Sequence, residues 1–343
     1  ENKYNKITYR LYELDCGIKF IHLQNPSSIN FDFASVHKAG NIYEEMDKIP
    51  HGSAHLLEHI LFTPNTKFKT KDDIHKFEEG NKTRPALNIN GFTGYKYIFL
   101  TGSSNKKGAN RILERIDGLI DFPFSKFEKN LVNEKKIVTA ERSRRPKLEK
   151  DNFLQRLIFL EGKEIPEFKY QRIGEVGEID NIDIKDLQNY FINRFTNKSV
   201  VFAIQSSDFP DKSLINKLEK LGQKYSNSLV PGFRNVLLTN ELDYGHYSDE
   251  KATGTTIELN YFDRTPKEIN YQNEAIEDVL SSIIKKIGYD ILREERGLIY
   301  GLEAYNDDWY SVNHYIKCFK FIVENSRTTE MLEYLDKFLL EDI

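Results

Sequence analysis

Cysteine is scarce in this chain of 343 residues. Its two cysteines, Cys16 and Cys318, lie near opposite ends of the sequence. Two thiols so far apart in the sequence exclude a disulfide framework and a thiolate-rich zinc site. We therefore expect a protein of a reducing compartment that depends on packed cores rather than on covalent cross-links.

Long apolar runs and an excess of one charge are also missing. No apolar stretch approaches the roughly 18–20 residues of a membrane-spanning helix, so we predict no membrane span. Residues 1–9 mix charged and polar side chains, which predicts no signal peptide and favours a cytoplasmic location. Lys and Arg number 49 against 53 Asp and Glu, a formal net charge of −4. Such a balance provides no strong field for nucleic acid, and we expect no nucleic-acid partner.

The length and the order of predicted elements indicate two domains. The chain has about twice the usual length of one domain, and 39% of its residues are hydrophobic, which is enough for packed cores. Strand-like alternation followed by helical periodicity occurs twice, which predicts a duplicated α/β or α+β unit. We place the first domain at 1–210, a linker at 211–232 and the second domain at 233–343.

Helical periodicity predicts a helix that begins near Gly52 and buries Leu56, Leu57, Ile60 and Leu61. Further helices are predicted over 107–120, 126–142 and 152–160. In the second domain a long helix is predicted over 271–296. Gly297 follows that helix, and we expect it to end the helix in the left-handed conformation that glycine adopts without strain.

The first predicted helix carries the residues that point to chemistry. His55, Glu58 and His59 form the pattern H-x-x-E-H. Because His55 and His59 are four residues apart, both imidazoles lie on one helix face and can bind one tetrahedral Zn²⁺. Glu58 lies beside the ion without binding it, where a carboxylate can accept a proton from water. This order of ligands and base is that of the inverted zincins.

A catalytic zinc needs a third protein ligand and an open position. The best candidates are Glu134 and Glu141, which are seven residues apart and so share one helix face. The spacing does not say which of them binds the ion. A helix with surface histidines, facing glutamates that are merely solvated, is the competing interpretation. We interpret His51, at the start of the motif helix, as a capping or exposed residue rather than a ligand.

The motif helix resembles the zinc helix of the pitrilysin/insulysin family of metallopeptidases, which includes the mitochondrial processing peptidase. The matching residues are Gly52, His55, Glu58, His59 and Phe62. The resemblance implies that Glu141 is the third zinc ligand and that Glu134 orients a ligand. It also implies an α+β fold of two related domains, each with a mixed or antiparallel sheet flanked by helices. The second domain is expected to be shortened.

Two further segments match the same family. Asn90, Gly91, Phe92 and Thr93 are similar to its Asn-Ala-x-Thr segment, on the edge strand that pairs with substrate, although Gly91 replaces the usual alanine. This implies substrate binding by these four residues. Arg293 and Tyr300 match its arginine-to-tyrosine segment, with the same separation of seven. There Arg293 is expected to hold a substrate carbonyl and the Tyr300 hydroxyl to stabilise an oxyanion.

The resemblance implies a zinc-dependent endopeptidase with one Zn²⁺ per chain and Glu58 as general base. Expected substrates are short or unfolded peptides. In the family, a zinc domain faces the arginine–tyrosine domain of another half across an enclosed chamber. This chain has one zinc motif and one Arg293/Tyr300 segment, which is half of such a chamber. The resemblance therefore implies a homodimer or a heterodimer with a related chain. The alternative is a non-catalytic, accessory peptide-binding subunit of such a heterodimer. Glu58 argues against that alternative, because a subunit that only binds peptide has no need of a base.

Overall fold

The computed structural model describes residues 8–121, 128–144, 173–174, 176–227, 253–263, 271–311 and 314–342. The chain divides into two units, Glu1–Pro146 with Gly162–Phe233, and Lys147–Glu161 with Arg234–Ile343. Each unit combines a β-sheet with helices, so the predicted α+β fold is confirmed. The helix predicted over 152–160 lies outside the described residues.

The first unit is built on a mixed sheet of six described strands. These are β1 (Thr8–Glu13), β2 (Lys19–Gln24), β3 (Asn30–His37), β4 (Asn88–Thr93), β5 (Ile98–Asn105) and β6 (Val200–Ser206). Their order is β1-β2-β6-β3-β5-β4. Only the β2–β6 pair among them is parallel. The motif region therefore follows β3, and β4 forms one edge of the described sheet.

Helices cover this sheet because alternate strand residues are apolar on one face. Phe20, Phe33, Leu100 and Phe202 are buried there. The helices are α1 (Glu44–Asp47), α2 (Ser53–Leu61), α3 (Lys71–Glu78), α4 (Ala109–Ile120), α5 (Glu128–Arg144), α6 (Val176–Asn181), α7 (Ile184–Arg194) and α8 (Lys212–Gly222). In α2 the predicted apolar residues Leu56, Leu57, Ile60 and Leu61 are fully buried.

The segment 211–232, which the sequence predicts as a linker, begins with helix α8. This helix packs against α4 and buries Leu218 and Leu221. Two buried leucines on one face are typical of a helix that belongs to a core, so residues 212–222 are part of the first unit.

The second unit contains three described antiparallel strands, ordered β7-β9-β8. They are β7 (Gly254–Asp263), β8 (Ile299–Ser311) and β9 (His314–Glu324), accompanied by α9 (Tyr271–Gly288) and α10 (Thr328–Lys337). The α9 helix continues as a π-helical turn, Tyr289–Glu295, and Gly297 follows with φ +59°, as predicted. Leu292, Leu302, Phe321 and Phe338 are among the buried residues of its core. No described helix is long and apolar enough to cross a membrane.

Candidate metal centre

The start of helix α2 is held by a buried carboxylate. Glu44 is fully buried and accepts hydrogen bonds from the backbone N–H groups of Gly52 (3.0 Å) and Ala54 (2.7 Å). These are N–H groups that the helix itself leaves without acceptors. Gly52 has φ +93°, and a Cβ atom there would lie 2.6 Å from the carbonyl oxygen of Ile173. The motif helix therefore needs a glycine immediately before it.

The sequence did not identify Glu44, because this cap comes from a different helix, α1, and no local spacing marks it. Burial raises the pKa of Glu44, while hydrogen bonds from His51, Ala54 and Gly52 oppose that rise. His51 Nδ1 lies 3.5 Å from Glu44 Oε2, and its Nε2 lies 3.3 Å from Glu45 Oε2. His51 thus pairs with the two glutamates of α1 at the start of the motif helix.

Three predicted ligands converge at one point. His55, His59 and Glu141 each offer a donor atom, and these atoms all lie within 4.8 Å of one another. Glu141 Oε2 is 3.7 Å from His55 Nε2 and 3.6 Å from His59 Nε2. Two ligand atoms at 2.0–2.2 Å from a tetrahedral Zn²⁺ lie about 3.4 Å apart. The two distances from Glu141 to the histidines are therefore close to those between ligands of one ion.

Helix α5 supplies both candidate glutamates. Leu131, Glu134 and Val138 are buried along one face of α5, and Glu141 continues that face. The helix packs against α2. This packing brings Glu134 Oε2 within 3.4 Å of His59 Nδ1, whereas Glu141 faces the Nε2 atoms.

The two glutamates therefore contact opposite nitrogens of the His59 ring. Glu134 is only 7% exposed. A carboxylate on the far nitrogen of a histidine is the usual arrangement that orients a metal-binding imidazole. The geometry fits Glu141 as a metal ligand and Glu134 as the group that orients His59.

Electrostatics around His59 favour positive charge. Burial lowers the pKa of His59, but the hydrogen bond with Glu134 and the charges of Glu58, Glu134 and Glu141 outweigh burial and raise it overall. A position surrounded by three carboxylates stabilises a cation. The donor set of two imidazoles and one carboxylate is also one that Zn²⁺ accepts.

Glu58 lies beside this cluster and is not one of the three converging donors. Its Oε2 accepts a hydrogen bond of 2.7 Å from the Thr93 hydroxyl. Burial raises the pKa of Glu58, and the charge of Glu141 adds to the rise, while Thr93 and His59 oppose it. A carboxylate with a raised pKa is a stronger proton acceptor, as general-base chemistry requires.

Strand β4 borders the site at the edge of the described sheet. Asn90 and Phe92 point to the exposed side, with Phe92 54% exposed. A pocket of about 290 Å³ lies between α2, β4 and α5. Its lining includes Glu58, His59, Phe62, Lys71, Asn90 and Gly91. Of the four residues predicted to bind substrate, Asn90 and Gly91 line this pocket, and buried Thr93 instead contacts Glu58.

Arg293 and Tyr300 lie together in the second unit. Arg293 is in the π-helical turn, and its Nη1 donates a hydrogen bond of 2.6 Å to the Tyr300 carbonyl oxygen. Its guanidinium carbon is 4.7 Å from the centre of the Tyr289 ring. Tyr300 is the second residue of β8 and is 59% exposed. The predicted positions at a helix end and a strand start are therefore present, with the Tyr300 side chain accessible to solvent.

Several solved structures share the fold of this chain. The superposition with a peptidase M16 inactive domain from Pseudomonas fluorescens covers 98% of this chain and 80% of that domain, with TM-score 0.73 and 13% sequence identity. A protease from Helicobacter pylori gives the same coverage and TM-score with 16% identity. The superposition with pitrilysin covers 99% of this chain but only 37% of pitrilysin, with TM-score 0.66 and 14% identity. No protein-family model and no curated protein sequence matches the chain. At these identities the similarity establishes the fold.

Proposed function

We propose that this chain is a zinc-dependent endopeptidase of the pitrilysin/insulysin family. One observation carries the proposal: His55 and His59 of α2 meet Glu141 of α5 with all donor atoms within 4.8 Å, and Glu58 lies beside them. The H-x-x-E-H order and the fold shared with proteases support it.

In this proposal His55, His59 and Glu141 hold one Zn²⁺. The bound ion supplies the Lewis acidity that makes water nucleophilic near neutral pH. Glu58 accepts a proton from the attacking water and delivers it to the leaving amine. Glu134 keeps the His59 ring in orientation through its Nδ1 atom.

The substrate is proposed to be a short or unfolded peptide that adds to the edge of the sheet along β4. An edge strand offers unpaired backbone N–H and C=O groups, and an extended peptide can pair with them. Asn90, Gly91 and Phe92 are the proposed contacts. Arg293 and Tyr300 are proposed to bind the substrate carbonyl and the oxyanion, as the family resemblance implies.

We further propose that the chain works as a homodimer or as a heterodimer with a related chain. It spans little more than a third of pitrilysin, and it carries a single metal cluster among its described residues. A second candidate function is an accessory peptide-binding subunit. That candidate is favoured by the fold shared with a domain that is named inactive.

The decisive experiment compares the wild-type chain with Glu58→Gln. We expect both to bind one Zn²⁺, measured by mass spectrometry of dialysed protein, because Glu58 is not a ligand. Hydrolysis of a quenched peptide should fall by roughly 10²–10⁴-fold in the variant. Glu114→Gln, in an exposed ion pair with Lys67, is the matched control and should retain full activity.

Each alternative has its own outcome. Near-normal hydrolysis by Glu58→Gln would show that another group is the base. Stoichiometric zinc without hydrolysis by the wild type, alone or with any partner chain, would favour the accessory subunit. Absence of bound zinc would refute the metallopeptidase.

A further inference from the structure

The carboxylate of Glu58 meets strand β4 at two points. The Thr93 hydroxyl donates a hydrogen bond of 2.7 Å to Oε2. On the other side, a Cβ atom at Gly91 would lie 2.7 Å from Oε1 and 2.9 Å from Cγ. Real Cβ atoms do not approach so closely, so any larger residue at position 91 would have to displace the Glu58 side chain or the Phe62 ring, whose Cε2 would also lie 2.7 Å from that Cβ.

These two contacts follow from the register of β4. Successive strand residues alternate between faces, so residues 91 and 93 share one face, and residues 90 and 92 share the other. Burial follows this alternation, with Thr93 6% exposed and Phe92 54% exposed. Gly91 and Thr93 pair with Leu100 and Ile98 of β5, which fixes their positions relative to the sheet. Glu58 therefore contacts a single face of strand β4, the face that carries Gly91 and Thr93.

A carboxylate on a long side chain has several rotamers and two equivalent oxygens. A hydroxyl has one hydrogen to donate, and the Thr93 hydroxyl donates it to Oε2 of Glu58. This hydrogen bond selects one orientation of the carboxylate, in which Oε1 lies beside Gly91. Because the donor is buried on a paired strand, the orientation is set before substrate binds.

We propose that Thr93 is a positioning residue for the base Glu58, that its hydrogen bond leaves Oε1 to accept the proton of the attacking water, and that Gly91 leaves room for the carboxylate in this orientation. The inference rests on the proposed function, since it needs Glu58 to act as the base. It assigns Thr93 a role other than the substrate contact that the sequence resemblance implies. Because misplacement of a reacting group by about 1 Å costs on the order of 100-fold in rate, the effect should appear in kcat.

The test compares Thr93→Val, which keeps the shape and removes the hydroxyl, with Thr93→Ser, which keeps the hydroxyl. We expect Thr93→Val to lower kcat for a quenched peptide by roughly 10–100-fold with KM and zinc content unchanged. Thr93→Ser should retain kcat within about threefold. Thr196→Val is the matched control, because Thr196 is fully buried with its hydroxyl unbonded, and it should leave kcat unchanged.

A second measurement separates positioning from a structural effect. In the Glu58→Gln background, Thr93→Val should produce no further loss of the residual rate, because there is no base left to orient. An equal loss in both backgrounds would overturn the proposal, and so would wild-type kcat in Thr93→Val or a rise in KM alone. A wild-type chain that binds no zinc, or that hydrolyses no peptide either alone or with any partner chain, would overturn the proposed function itself, and the inference with it.

Discussion

The sharpest prediction concerns the two glutamates of α5, because they lie seven residues apart and are assigned different roles. Glu141 faces the Nε2 atoms of both histidines at 3.6 and 3.7 Å, and Glu134 contacts His59 Nδ1 at 3.4 Å. In the proposed site, Glu141→Ala therefore removes one of three protein ligands. Glu134→Ala removes only the group that orients a ligand, which usually costs roughly 10–100-fold in metal affinity.

A loss of zinc affinity lowers the free energy by which bound zinc stabilises the folded protein. At free Zn²⁺ one thousand times the wild-type Kd, binding stabilises the folded wild type by about 4.1 kcal/mol. For Glu134→Ala the same zinc concentration is only about 10–100 times its Kd, which leaves about 1.4–2.7 kcal/mol. For Glu141→Ala we expect stabilisation close to zero, because two imidazoles alone hold Zn²⁺ weakly.

The assay is urea unfolding in a zinc buffer and again in excess chelator, for each variant separately. The difference between the two free energies of unfolding cancels any loss of packing that does not involve zinc. Glu114→Ala, on the surface of α4, is the control and should show the full wild-type difference. The assignment would be refuted if Glu134→Ala lost all zinc stabilisation while Glu141→Ala kept more than half of it.

Three further predictions concern single residues of the first unit. The buried His37 has a pKa lowered by burial to about 3 from 6.5, so stability should fall by about 1.4 kcal/mol per pH unit as pH drops below 6.5. The wild-type slope between pH 6 and pH 4.5 should exceed that of His37→Gln by this amount, and equal slopes would contradict it. Arg194 is fully buried and forms two hydrogen bonds of 2.7 Å with Asp47. Asp47→Ala should therefore lower the free energy of unfolding in urea by about 3–5 kcal/mol, because it leaves a buried charge without its partner. A loss below about 1 kcal/mol would contradict this prediction. Gly91→Ala should keep zinc but lower kcat by roughly tenfold by displacing Glu58, and unchanged kcat would show that the carboxylate adapts.

Local sequence determined the parts of this protein that depend on short-range geometry. Helical periodicity places His55 and His59 one turn apart on α2, and it places the four apolar residues of α2 in the core. The preference of glycine for positive φ marks Gly297 after the long helix of the second unit. Such features are predictable because they involve neighbours within about one or two helical turns.

Tertiary packing decided what the sequence left open. From spacing alone, Glu134 and Glu141 were equivalent, and only the docking of α5 on α2 assigns them to opposite nitrogens of His59. Helix α8 lies in the segment predicted as a linker, and only its packing against α4 shows that Leu218 and Leu221 are buried.

Neither the capping of α2 by Glu44 nor the hydrogen bond from Thr93 to Glu58 could be predicted from the sequence. Glu44 reaches the start of α2 from another helix, and Thr93 lies 35 residues beyond Glu58 on a separate strand. Contacts of this kind carry no periodic signal, since they depend on how independently formed elements pack. The sequence therefore identified the groups that we propose to carry the chemistry, and the tertiary structure decided how each of them is held.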